Sequence, residues 1–75
     1  MNDIEMKPVE SSNIAAVGHD AARKVMRIQF SNGGLYDYHN VSAEQHQALL
    51  KAKSVGGHFH KHFRGNKQHA FTRIA

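Results

Sequence analysis

The stretch Lys24-Val25-Met26-Arg27-Ile28-Gln29-Phe30-Ser31-Asn32-Gly33-Gly34-Leu35-Tyr36-Asp37-Tyr38 decides the fold. In its first half Lys24, Met26, Ile28 and Phe30 point one way, and Val25, Arg27 and Gln29 the other. Alternation with period two, carrying a charge on the second face, marks a half-buried strand. Ser31-Asn32-Gly33-Gly34 then supplies turn chemistry between two such runs, which predicts a hairpin. Its register follows from which face must be covered. A two-residue Asn32-Gly33 loop sets Phe30 across from Leu35 and turns both tyrosines to the wrong face. A three-residue loop over Ser31 to Gly33, with glycine left-handed, pairs Phe30 with Gly34, Ile28 with Tyr36 and Met26 with Tyr38. It also sets Arg27 opposite Asp37 as a cross-strand ion pair on the outer face. The second register is expected.

Upstream, the apolar run Ile14-Ala15-Ala16-Val17 predicts a first strand over 13–17 that ends at Gly18, with His19 to Ala22 as a turn. Residues 1–8 hold Pro8 and read as a flexible start or a short edge strand near 6–9. Downstream, Ser42-Ala43-Glu44-Gln45 has the spacing of a capping box. It opens a helix over 43–53 that buries His46, Leu49 and Leu50. Ser54 caps a second helix over 55–64, with Val55, Phe59 and Phe63 on one stripe and Gly65-Asn66 at its end. Residues 69–74, with Phe71 alternating, leave room for a last strand. The expected architecture is α+β: an antiparallel β-meander of three to four strands, then two short helices packed on one face. Residues 9–75 form a single domain.

Composition narrows the class. A chain of 75 residues makes one domain with a thin core. It has no cysteine, hence no disulfide and no thiolate metal site, which suits a reducing cytoplasm. Met1 to Met6 is acidic where a secretory signal is basic and then apolar. No apolar run reaches the ~18 residues that span a bilayer. The expectation is a cytoplasmic protein with no membrane partner. Charge is divided unevenly. Residues 1–44 carry six acids against four bases, a net of −2, whereas residues 45–75 carry six bases and no acid. Five of the seven histidines also lie in the second half. Such asymmetry points to RNA or another polyanion as partner, set against a solvated face that only aids solubility.

An ordered set of residues carries a resemblance. Val9, Ser11-Ser12-Asn13-Ile14, Met26-x-Ile28-x-Phe30, Gly33-Gly34-x-Tyr36-x-Tyr38, Val41, Ala52-x-Ser54-x-Gly56 and Phe59 together resemble the KTSC domain. That module is named for its occurrence at the C-terminus of some lysyl-tRNA synthetases, and it also stands alone as a small bacterial or phage protein. The resemblance implies a compact α+β domain of unestablished function, with RNA binding as the expectation drawn from the synthetase attachment. The chain departs from the family at His19, often tyrosine, and at His60, often asparagine. His58 and His62 are further histidines particular to this sequence.

The candidate phosphate contacts are Lys51, Lys53, Lys61, Arg64, Lys67 and Arg73, on the condition that they converge into one field. Tyr36 and Tyr38 are candidate stacking rings for unpaired bases, set against a role roofing the core, which the preferred register favours. His58 and His62 are four apart and share a helix face, as two metal ligands would. Lys61 beside them and the lack of a nearby acid argue against a metal, so no metal or cofactor is expected. Gly56-Gly57 admits either close approach of a phosphate backbone or tight helix packing. Catalysis finds no G-x-S-x-G turn, no Walker loop and no acid after Glu44, so a non-catalytic module is expected. Two functions follow as expectations: binding of RNA or single-stranded nucleic acid, or a protein-interaction adaptor that is a monomer or weak dimer.

Overall fold

The computed structural model describes residues 4–74. Five strands and two helices follow in the order β1 (Lys7–Pro8), β2 (Ile14–Asp20), β3 (Val25–Phe30), β4 (Leu35–Tyr38), α1 (Ala43–Lys51), α2 (Val55–His62) and β5 (Phe71–Arg73). The strands make one antiparallel sheet in the order β1-β2-β3-β4-β5. The expected meander, helix pair and last strand are all present, so the fold is α+β.

The central hairpin takes the three-residue loop. Met26 faces Tyr38, Arg27 faces Asp37 and Ile28 faces Tyr36. Gly33 adopts φ +97, and its N–H donates to Phe30 O at 2.9 Å. An L side chain is strained at such a φ, which is why glycine stands there. On the outer face Arg27 Nε donates to Asp37 Oδ1 at 2.7 Å and its Nη2 to Oδ2 at 3.1 Å. Asp37 is buried, so this two-pronged pair satisfies a carboxylate that would otherwise be costly to cover.

Pairing of β2 with β3 puts Ile14 and Val17 on the face of Ile28 and Phe30. The helices cover that face. Met26, Ile28 and Tyr38 pack with Val41, Leu49, Val55, Phe59 and Phe63 in one core. Burying a side chain of this size is worth about 1.5–3 kcal/mol, and the cluster is the main source of stability. Ser42 caps α1 through the full box: its Oγ accepts from Gln45 N at 3.2 Å, and Ser42 N donates to Gln45 Oε1 at 2.9 Å. Ser54 Oγ accepts from Gly57 N at 3.0 Å and starts α2.

Four boundaries differ from expectation, each for a physical reason. β2 continues through Gly18 and His19 to Asp20, because residues 4–6 cross behind Gly18 and β3 pairs along the whole length. A Cβ on Gly18 would lie 2.5 Å from Glu5 O, so glycine there serves close approach and not a strand end. The turn falls at 21–24, where Asp20 Oδ1 accepts from Ala22 N and Arg23 N. Lys24 consequently has φ 56 and sits in that turn, outside β3. α1 stops at Lys51 because Ala52 is extended, and α2 stops at His62, short of Arg64. The edge strand near 6–9 is observed as β1, whereas residues 1–3 lie outside the described part.

No helix of the described residues is long and apolar enough to cross a membrane.

Candidate nucleic-acid interface

Two adjoining hollows open where α2 passes over the β3–β4 hairpin. The first, of about 610 Å³, is lined by the polar side chains Asn13, Asn32, His60 and Arg64 together with the apolar Ile14, Phe30 and Phe59. The second, of about 330 Å³, is lined by Phe30, Tyr36, Tyr38, Phe59, Phe71 and Arg64. Arg64 borders both. It follows the last turn of α2, and Gly65 beyond it takes φ +76, so the chain leaves the helix there.

The aromatic hollow is built edge to face. Phe30 meets Tyr36 at 5.5 Å between ring centroids and Phe59 at 5.6 Å, while Tyr38 meets Phe59 at 5.0 Å. β5 pairs with β4 so that Phe71 lies across from Tyr38 and Arg73 across from Tyr36. The Arg73 guanidinium carbon stands 5.9 Å from the Tyr36 centroid, a cation–π distance. Phe71 is 59% exposed, although its ring touches both tyrosines.

The two tyrosines therefore part company. Tyr38 is 6% exposed and belongs to the core, so its ring roofs the sheet. Burial raises its phenol above the ordinary range, and the nearby Arg64 charge opposes that shift. Tyr36 is half-buried at the core's rim. Phe71 has the largest open ring surface in the groove, and its place in the sequence gave only a weak signal of alternation.

The hollows do not gather all six basic candidates. Arg64 and Arg73 flank the aromatic hollow. Lys53, with Lys51 beside it in sequence, sits at the opposite sheet edge, where its hollow is lined by Lys7, Glu10 and Leu50. Lys61 lies near enough to His58 to perturb it, and Lys67 is exposed in the turn after α2. Asp37, which would have weakened a basic field, is engaged by Arg27 on the reverse face. Asp20 is engaged by its own turn.

The histidines have separate roles. His19 stacks on His46 at 4.9 Å and 12° between planes, and its Nε2 donates to Val41 O at 2.7 Å. His46 bridges sheet and α1 where burial in the core had been expected; its Nδ1 is covered and has no hydrogen-bond partner among the described residues. Burial, then His19 and Lys7, lower its pKa from 6.5. His58 and His62 rings lie 4.3 Å apart, and burial followed by His62 and Lys61 lowers the His58 pKa. Among the described residues no group of three or more His, Cys, Asp or Glu is gathered as a metal ion would need. His69 is buried against Phe63 and donates from Nδ1 to His39 O at 3.2 Å. Gly56 packs so tightly that a Cβ would lie 2.9 Å from Ser11 Oγ, so it serves the close approach of α2 to the segment before β2, and not packing between the two helices.

Comparison with known proteins agrees with this architecture. A family model described as the KTSC domain matches residues 10–66. A protein of Stutzerimonas stutzeri strain A1501, described as uncharacterized, is 39% identical over 56 residues, covering 75% of this chain and 79% of its own. A protein of Tsukamurella paurometabola is 43% identical over 51 residues, covering 68% of this chain and 76% of that one. The crystal structure of a KTSC domain protein from Yersinia pestis superposes with a TM-score of 0.90 at 30% identity, covering 97% of this chain and 100% of that one. These descriptions name neither a synthetase nor an RNA, so they support the family without its synthetase association. With most of the chain matched and the whole fold shared with a solved relative, this protein belongs to the KTSC domain family.

Proposed function

We propose that this KTSC domain is a non-catalytic, cytoplasmic module that binds RNA or single-stranded nucleic acid along the groove between α2 and the β3–β4–β5 edge. The observation that carries the reading is Arg64 shared by two adjoining hollows, one with more polar side chains and one with more aromatic rings, and Arg73 on the adjoining ring. Stacking surface beside guanidinium donors is the combination that holds unpaired nucleotides without demanding a sequence. The surface is smaller than the basic half of the sequence suggested, and this alters the expected salt dependence. A fluorescent oligouridylate titrated at rising salt should give a log–log slope of about −1.4, for two neutralised phosphates at about −0.7 each. Convergence of all six bases would give about −4. Absence of binding at low salt would reject the reading.

A second reading has its own observation. β5 is a short edge strand that exposes Phe71 at 59% and Ile74 at 45%. An open strand edge with apolar side chains suits strand addition by a protein partner or a second copy. Partners recovered from lysate that persist after nuclease treatment favour the adaptor; partners lost with nuclease favour nucleic acid.

A further inference from the structure

We propose that the groove divides its ligand chemically: one base stacks on Phe71 in the aromatic hollow, the phosphodiester lies in the polar hollow, and Arg64 bridges the two. This rests on the nucleic-acid reading and assigns the stacking role to Phe71 in place of the tyrosines. Tyr38 is covered by the core. One face of Tyr36 is taken by Arg73 at 5.9 Å, and Phe30 meets its ring at 79°. Phe71 makes two ring contacts, with Tyr36 at 63° and Tyr38 at 34°, and still exposes more than half its surface. Its ring is thus held at one side and open at the other, as a stacking platform must be.

The polar hollow suits the anionic part. Arg64 forms no hydrogen bond or ion pair through its guanidinium among the described residues, so its donors are available. Asn32 Oδ1 accepts from Gly34 N at 3.0 Å, which fixes the amide and leaves its NH₂ as a donor. Asn13 and His60 add polar edges, and the charge on the lining is that of Arg64, with no carboxylate among the lining residues. Side-chain donors, one permanent cation and no acid make the polar side of this lining complementary to phosphate, opposite Ile14, Phe30 and Phe59.

The test compares a short oligouridylate with an abasic oligomer of the same length on the full chain, using Phe71→Ala and Phe71→Tyr. Phe71→Ala should weaken oligouridylate binding about tenfold, leave the abasic oligomer within twofold, and be rescued by Phe71→Tyr, which keeps the ring. Thermal melting of each variant accompanies the titrations, because Phe71 is exposed and its removal should leave the fold intact. Oligouridylate binding by the native chain that is unchanged in Phe71→Ala overturns this assignment alone. Equal loss for both oligomers also overturns it. Failure of the native chain to bind either oligomer removes the nucleic-acid reading itself.

Discussion

The two ends of the helix-covered face carry the same kind of charge and do different things with it. At the β1 end, Lys51 closes α1 and Lys53, just beyond it, borders a hollow whose wall includes Lys7 and the acid Glu10. At the β5 end, Arg64 and Arg73 stand among aromatic rings with no acid in the lining. Charge counted along a chain is a property of the whole half. Charge in a site depends on where α2 stops and which strand pairs with β4. Guanidinium against ring faces is also better suited than a hydrated ammonium to flat, delocalised ligands.

The largest effect that separates the two ends should come from Phe59. It is buried, and it joins Phe30, Tyr38 and Phe63 beneath the groove. Phe59→Ala should cost about 3–5 kcal/mol in chemical denaturation. At the other end the corresponding weakness is steric. Gly18→Ala pushes a methyl against Glu5 O and Ile4 and should cost about 1–3 kcal/mol, read in the same denaturation experiment. It should leave oligonucleotide affinity per folded molecule unchanged, which a change at Phe59 should not. Smaller again is Ser42→Ala, which removes the capping box of α1 and should cost about 1 kcal/mol.

The smallest effect is that of pH. The folded pKa of His46 is lowered, chiefly by burial, so the unfolded chain binds the proton first as pH falls. Its contribution is complete well above 6.5 and is lost as pH drops through 6.5 toward the folded value. His58 has the same sign at the other end of the face, for the same leading cause. Stability measured by urea midpoint should fall between about pH 7 and 5, and His46→Gln should flatten the fall more than His58→Gln.

The sequence made the hairpin fully legible because two local signals agreed. The alternation from Met26 to Phe30 and the left-handed requirement at Gly33 admit one register, and Arg27 and Asp37 followed from it. The capping box at Ser42 was legible for the same local reason. β2 was not. Gly18 looks like a terminator until residues 4–6 are seen to cross behind it. Lys24 satisfies the alternation and yet lies in the turn, because a left-handed residue there completes the reversal that Asp20 begins. The groove was legible in its residue types and illegible in its membership. Tyr36, Tyr38, Arg64 and Arg73 were candidates, whereas Phe30, Asn32, His60 and Phe71 entered through pairings distant along the chain. Long-range strand order decides such neighbours, and no local period records it.

Binding in the groove requires the two ends to be unequal. Oligouridylate affinity at low salt, measured side by side for Arg64→Ala and for the double variant Lys51→Ala/Lys53→Ala, tests this directly. Arg64→Ala removes one positive charge and should weaken binding about tenfold, worth ~1.4 kcal/mol, while the double variant removes two and should change it less than twofold. A larger loss in the lysine pair than in Arg64→Ala would contradict the account, placing the ligand on the β1 end or on net charge alone.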